Sequence, residues 1–178
     1  MTIRRLVAAC LALAAGVLWW RLRPDGHQAP QHLVAVAEPR AIGRLASWRP
    51  APPDTTVGRV AAYLWAGPLT AVGLLLGALS RTRPTVHDGV LLFAHARGVG
   101  GWMLRWRGFA AATLGHTILA AGQPGDRLLQ HELVHVRQAE RWGPLFVPLY
   151  LAGLMRYGYR RNPLERAAYG PSDGPMIA

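Results

Sequence analysis

The 178-residue sequence contains no lysine, only one cysteine and only nine acidic residues. A single cysteine permits no intramolecular disulfide and no cysteine-based zinc site. The formal net charge of +11 is carried by arginine alone. Because the arginines are spread along the chain and match no nucleic-acid-binding motif, we expect no nucleic-acid partner. No internal repeat and no glycine-rich phosphate-binding loop is visible, so neither a repeat architecture nor phosphate-loop chemistry is indicated.

Two long apolar runs indicate a membrane location. The run from Leu6 to Trp20 lies between arginines and fits a signal anchor or first membrane helix over residues 1–23. The run from Val60 to Leu79 has 20 residues without a charge and predicts a membrane helix over residues 59–80. The alternative for this second run is a buried core helix. Residues 24–58 hold six prolines and are predicted to form a linker or loop.

The segment 131–135 reads HELVH and carries the most specific chemical signal in the chain. No glycine or proline interrupts residues 126–142, Asp126 can serve as an N-cap, and Gly143 followed by Pro144 can end a helix. The motif is therefore predicted to lie on a helix that covers residues 126–142.

This placement has a chemical consequence, because residues four apart lie on the same face of a helix. His131 and His135 can then bind one metal ion, as in the HExxH pattern of zinc sites. Glu132 is turned by about 100° from His131, toward the open side of the metal where a bound water would lie. It is the candidate general base. The alternative is a surface helix whose two histidines are ordinary polar residues.

A zinc site needs a third protein ligand, and Glu165 is the best candidate. It lies far enough downstream for a second helix to return toward the metal. The same carboxylate could instead cap a helix, because Asn162 and Glu165 stand at the N-cap and N3 positions around a proline at N1. Glu140 lies about 140° around the helix from the second histidine and faces away. Asp173, in a Gly/Pro-rich tail, is a weaker candidate.

Three segments upstream of the HELVH helix are predicted to form strands: Val90 to Ala96, Trp102 to Arg107, and Thr117 to Ala120. In the second segment, the apolar Trp102, Leu104 and Trp106 alternate with Met103, Arg105 and Arg107. The glycines before it predict a hairpin that joins the first two segments. We therefore expect a short antiparallel sheet beside the metal helix.

The segment from Pro144 to Met155 is apolar but too short to span a membrane unaided. Trp142 just before it and Phe146 and Tyr150 within it are spaced four residues apart, and this stripe is predicted to face a core. Other polar residues could stand near the metal as hydrogen-bond donors, although their plainer interpretation is as strand-end or surface residues. They are His95, His116, Tyr157, Tyr159, Arg160 and Arg161.

HELVH followed by a separate helix with Asn-Pro-x-Glu resembles the gluzincin branch of the zincin metallopeptidases. The chain is also similar to small bacterial membrane proteins with an HExxH core. The resemblance covers under half of the chain and implies a zincin-like metallohydrolase domain within residues 81–178. It implies that an extended polypeptide binds along a neighbouring sheet edge by strand addition. It further implies a zinc ligand set of His131, His135 and Glu165, with Glu132 as base.

Together these features predict an α+β protein with N-terminal membrane helices followed by a small zincin-like domain. The predicted function is that of a membrane-anchored zinc metallohydrolase, a peptidase, with Zn²⁺ as cofactor and with membrane lipid and a membrane-proximal polypeptide as partners. One rival is a non-catalytic membrane protein with a structural or regulatory zinc site. Another is an arginine-rich membrane adaptor without zinc.

The predicted location is the bacterial inner membrane. If the N-terminus starts inside, two crossings return the metal domain to the cytoplasm, and this is the orientation that we predict. Only if residues 60–79 fail to cross the bilayer would the domain lie outside.

Overall fold

The computed structural model describes residues 39–169. The predicted anchor over residues 1–23, the linker as far as residue 38, and Asp173 lie outside the described residues. The elements, in chain order, are helices α1 (Arg40–Ala46) and α2 (Thr56–Leu79), strands β1 (Thr85–His87) and β2 (Val90–Phe93), helix α3 (Gly98–Arg107), strands β3 (Ala111–Leu114) and β4 (Thr117–Ala120), and helices α4 (Asp126–Trp142), α5 (Phe146–Tyr157) and α6 (Pro163–Tyr169). A short 3-10 turn, Gly143–Leu145, joins α4 to α5.

The four strands form one mixed sheet in the order β1-β2-β4-β3. β1 and β2 form an antiparallel hairpin whose two-residue turn, Asp88-Gly89, has φ of 49° and 75°. Asp-Gly is the sequence that such a turn favours, because both positions need positive φ. β3 and β4 form a second hairpin, whereas β2 and β4 pair in parallel. The prediction of a purely antiparallel sheet is therefore wrong at the central pair.

The segment from Trp102 to Arg107, predicted as a strand, is the second half of helix α3. Gly101 and Leu104 are buried at helical spacing, whereas Trp102, expected on an inner strand face, is 58% exposed. Two parallel strands need a crossover connection, and α3 lies in the crossover from β2 to β4. The predicted hairpin between the first two segments is therefore also wrong.

The other two predicted strands are present in the structure. The first is shorter than predicted and ends at Phe93, after which His95 takes a left-handed conformation with φ of 51°. The third, Thr117–Ala120, is confirmed and is buried along its whole length.

Helices cover both faces of the sheet. Alternate residues of the central strands point to opposite faces, so Ile118 packs with α4 while its neighbour Leu119 packs toward α2 and α3. A third cluster joins α2 to α4, α5 and α6 beyond the end of the sheet. It contains Leu69, Ala139, Phe146 and Leu164. The core therefore holds α4 between the sheet and the two C-terminal helices.

Helix α2 is the described helix that is long and apolar enough to cross a membrane. It packs against the rest of the domain through a face of small residues that includes Gly73 and Gly77. A Cβ at Gly77 would lie 2.5 Å from the Phe93 ring, and a Cβ at Gly73 would lie 2.7 Å from the Thr117 side chain. Glycine thus lets the sheet approach the helix backbone closely, and the opposite, apolar face of α2 remains exposed.

Part of the predicted linker is integrated into the domain. Residues 40–46 form helix α1, which packs against α6. Just after it, the guanidinium of Arg49 donates to the carbonyl oxygens of Ala167 and Ala168, at 2.7 and 3.0 Å. These contacts tie the region before α2 to the C-terminal helix.

Candidate metal centre

Helix α4 carries the HELVH segment over the predicted range, 126–142. Gly125 rather than Asp126 occupies the N-cap position, and Asp126 is an acidic first-turn residue suited to the positive end of the helix dipole. His131, Glu132 and His135 are each at most 5% exposed. The alternative of a surface helix with ordinary solvated histidines is therefore wrong.

Glu165 lies on α6, and its side chain contacts His131 and His135 of α4. Asn162 does cap this helix, since its Oδ1 accepts from the backbone N–H of Leu164 at 3.2 Å. The backbone N–H of Asn162, which a capping-box glutamate would bind, instead donates to the carbonyl oxygen of Tyr159 at 3.2 Å. Glu165 is 2% exposed, and its carboxylate is directed at the two histidines of α4.

The three side chains converge on one point. The Nε2 atoms of His131 and His135 are 3.1 Å apart. The Glu165 oxygens lie 3.2 Å from Nε2 of His131 and 3.4 Å from Nε2 of His135. All three residues are buried, and within the described residues they form a group that could hold a metal ion.

These spacings fit a tetrahedral metal. Donor atoms about 2.0–2.1 Å from a tetrahedral zinc ion lie about 3.3 Å from one another, close to the three observed separations of 3.1, 3.2 and 3.4 Å. Oε2 of Glu165 is buried and accepts no hydrogen bond, despite its proximity to His131. A buried carboxylate oxygen without a donor is costly, and a metal ion at the centre of the group would satisfy it.

A hydrogen-bond chain fixes the orientation of His135. The Nε2 amide of Gln138 donates to the carbonyl oxygen of Leu164 at 3.1 Å, so the amide oxygen of Gln138 must face the imidazole. That oxygen lies 2.8 Å from Nδ1 of His135 and therefore accepts its N–H. The lone pair of a neutral His135 is then on Nε2, the atom that faces the metal position.

Replacing Gln138 by alanine is expected to weaken metal binding by about 10–100-fold, because His135 loses the partner that sets its tautomer and ring orientation. A competition titration with a zinc-chelating dye measures the change. Gln130→Ala is the matched control, since Gln130 is an exposed glutamine on the same helix. Equal zinc affinities in the two variants would show that Gln138 does not support the ligand.

The Glu165 carboxylate dominates the electrostatics of the group. Burial alone would lower the pKa of His135, but Glu165, with smaller contributions from Glu132 and the Gln138 hydrogen bond, raises that pKa to about 9. Burial would raise the pKa of Glu165, but the two histidines hold it far below its ordinary value. Without a metal, the site is therefore an ion pair between a protonated His135 and an ionised Glu165 at neutral pH.

Metal binding at pH 7 is expected to release a proton, because a ligating imidazole must be neutral. Affinity should rise by about tenfold per pH unit up to about pH 9, the pKa of His135. The folding stability of the metal-free protein changes in the opposite sense. The stabilisation from protonated His135 is complete below pH 6.5, the pKa of this histidine in the unfolded chain, and is lost as the pH rises through about 9. Calorimetric titration with zinc in buffers of different ionisation enthalpy counts the released protons. A value of zero would contradict this account.

Glu132 lies in the same pocket as His131, His135 and Glu165, and the edge strand of the sheet holds its side chain. The Thr113 hydroxyl of β3 donates to Oε2 of Glu132 at 2.6 Å. Burial raises the pKa of the Glu132 carboxyl above its usual value, although the two histidines and the Thr113 hydrogen bond oppose the rise. A carboxylate whose pKa is moved toward neutrality is suited to accept a proton and return it.

The pocket beside these residues is lined mainly by apolar groups of β3 and α5. Its wall includes Phe109, Leu114, Val147 and Tyr159. The Tyr150 hydroxyl donates to Oε1 of Glu165 at 2.5 Å, so the predicted aromatic stripe of α5 reaches the site as well as the core. Tyr159 lines the pocket, and its hydroxyl lies 3.1 Å from that of Tyr169.

The remaining candidates lie elsewhere. His116 is buried against α2, where its ring stacks on Tyr63 and its Nε2 lies 3.1 Å from Glu140. Glu140 also accepts from Arg137 at 2.6 Å, which agrees with its predicted position away from the metal. His95, Arg160 and Arg161 are exposed, and none of these residues nor Tyr157 lines the pocket.

The chain matches no family model, no curated protein and no solved structure. The resemblance to gluzincins therefore stays a prediction, and the chemistry of the protein is inferred from its own residues.

Proposed function

We propose that the protein is a membrane-associated zinc metallohydrolase that cleaves peptide bonds, with His131, His135 and Glu165 as zinc ligands and Glu132 as general base. The observation that supports this most strongly is the convergence of three buried donor side chains at tetrahedral spacing, with a buried glutamate in the same pocket. Two imidazoles and a carboxylate are a ligand set typical of catalytic zinc.

The number of donors favours a catalytic site over a structural one. Structural zinc sites have four protein ligands, whereas catalytic sites keep one position for water or substrate. Within residues 39–169, the metal-binding group contains three residues. His116, the candidate fourth ligand of a structural site, is engaged with Glu140 and Thr70 on the far side of α4 from the pocket.

Each residue has a distinct part in the proposed reaction. Zinc would supply Lewis acidity toward a bound water and a carbonyl oxygen. Glu132 takes the proton from the attacking water and passes it to the departing amine. Thr113 holds the Glu132 carboxylate in place, and Tyr150 and Gln138 hold Glu165 and His135.

The sheet supports a polypeptide substrate. β3 is an edge strand, since its partner in the sheet is β4 alone, and its residues Ala111–Leu114 line the pocket. An extended chain that adds to this edge would pass in front of Glu132 and gain main-chain hydrogen bonds. The apolar lining favours segments with apolar side chains.

Metal analysis of the purified full chain tests the proposal. The wild type is expected to bind one zinc ion and to cleave members of an unstructured-peptide panel, with cleavage lost on chelation and restored by added zinc. His131→Ala should lose both zinc and cleavage. Wild type without zinc would refute the metal site, whereas zinc retention without hydrolysis of any panel member would favour the structural role.

A further inference from the structure

The exposed face of helix α2 is continuous and apolar from Val60 to Leu79. No charged residue occurs in this range, and the large side chains along it are well exposed, including Leu64 at 75% and Leu75 at 60%. The face is about 30 Å long at 1.5 Å per residue. Apolar surfaces of this size on a soluble domain mark contact with a protein or a membrane.

The opposite face of α2 is occupied along almost its whole length. Near its start, the Tyr63 hydroxyl donates to the Gly89 carbonyl oxygen and the Trp65 indole donates to that of Arg141. At mid-length, the backbone N–H of His116 donates to the Thr70 hydroxyl. At its end, Ser80 accepts from the backbone N–H of Arg97. The sheet and α4 therefore lie alongside α2 rather than beyond one of its ends.

This packing conflicts with a helix that crosses the bilayer. If α2 crossed the bilayer, the structure packed alongside it would also lie at the depth of the hydrocarbon. This structure includes the sheet with its unpaired edge strands β1 and β3 and the His116–Glu140–Arg137 network. Open strand edges in contact with lipid do not occur, because their backbone groups would have no partners. A helix that lies in the plane of the membrane surface keeps the domain in water and buries the apolar face.

The charge of the chain identifies the partner. The full sequence carries +11, and among the described acidic residues Glu132, Glu140 and Glu165 are buried, which leaves Asp54, Asp88 and Asp126 exposed. Arg59, Arg81 and Arg83 are exposed at the two ends of the apolar face. Anionic headgroups attract arginines that lie close to the membrane surface, whereas a second copy of so basic a chain would be repelled.

We propose that α2 is an in-plane membrane helix whose Val60–Leu79 face is buried in the headgroup region of an anionic bilayer. The proposal does not depend on the metal chemistry. Since α4 packs directly on α2, the helix that carries two of the proposed metal ligands would lie next to the membrane-bound helix. A cytoplasmic metal domain requires that residues 60–79 cross the bilayer, and a helix in the plane of the membrane does not cross it. A single N-terminal crossing would leave the domain outside.

Depth measurements on the full chain test the geometry. The native cysteine is replaced with serine, and single cysteines are placed at four exposed positions along the face, through Leu64→Cys, Ala71→Cys, Leu75→Cys and Ala78→Cys. Each variant is spin-labelled in vesicles of phosphatidylcholine with phosphatidylglycerol, and label depth is read from oxygen against nickel-complex accessibility. Gln123→Cys, in an exposed loop, is the aqueous control.

An in-plane helix places all four labels at one shallow depth, about 5–10 Å into the boundary region, while the control stays in water. A crossing helix would instead place the label at position 71 about 10 Å deeper than those at 64 and 78, which would overturn the proposal. Labels shielded from both reagents, with dipolar broadening between chains, would show a second copy on this face. Labels accessible to water would show no lipid contact, and either result would also overturn it.

Discussion

Glu132→Gln is expected to lower the rate of peptide cleavage by about 10²–10⁴-fold, the contribution typical of a positioned general base, without loss of bound zinc. Glutamine has the shape of glutamate and can still accept the Thr113 hydroxyl, which donates to Oε2 at 2.6 Å. It cannot take a proton from water. Cleavage rate and zinc content of the same preparation are the two measurements, with Asp126→Asn as the matched control because Asp126 is an exposed acid on the same helix.

The stability of Glu132→Gln separates a catalytic role from a structural one. Burial raises the pKa of the Glu132 carboxyl, so its ionised form at neutral pH costs folding free energy that a neutral amide does not. The variant should therefore unfold at a temperature equal to or above that of the wild type. A less stable variant that also loses zinc would show that Glu132 holds the site together, and unchanged cleavage would show that it is not the base.

The metal helix could be predicted from sequence because its signals are local. The spacing of His131 and His135, the uninterrupted helix-forming stretch and the Gly143 stop all act within one segment, and α4 has the predicted bounds. The hydrogen bonds that support the site are only partly predictable from sequence. Gln138 stands one turn after His135 and could have been identified from that spacing, whereas Thr113 approaches Glu132 only because β3 is the strand next to α4.

The errors in the predicted sheet have a common origin. An alternation of apolar and polar residues also occurs by coincidence within a helix, and in α3 the buried Leu104 and the exposed Trp102 follow the helical period instead. The parallel pairing of β2 with β4 joins residues 91–93 to residues 117–119. Such pairing depends on a crossover that no short sequence window contains. The Asp88-Gly89 hairpin, in contrast, carries a local turn signal.

Replacing Glu165 by glutamine is expected to remove zinc from the protein, because the neutral amide loses the charge that two buried imidazoles face at 3.2 and 3.4 Å. The loss should exceed the about 10–100-fold that removal of an outer hydrogen-bond partner costs. The substitution also decides between the two roles that the sequence left open for this residue. Glutamine satisfies a capping box as well as glutamate does, so a residue that only capped α6 would tolerate the change.

Asn162→Ala provides the opposite pattern. Asn162 caps α6 through its contact with the Leu164 N–H, so its loss should lower stability by about 1 kcal/mol while the three ligand side chains remain. Zinc content, zinc affinity and thermal unfolding of both variants give a two-by-two comparison. Zinc lost in Glu165→Gln and kept in Asn162→Ala identifies Glu165 as a ligand. Zinc kept at wild-type affinity in Glu165→Gln would leave two histidines and a cap, and the hydrolase proposal would fail with it.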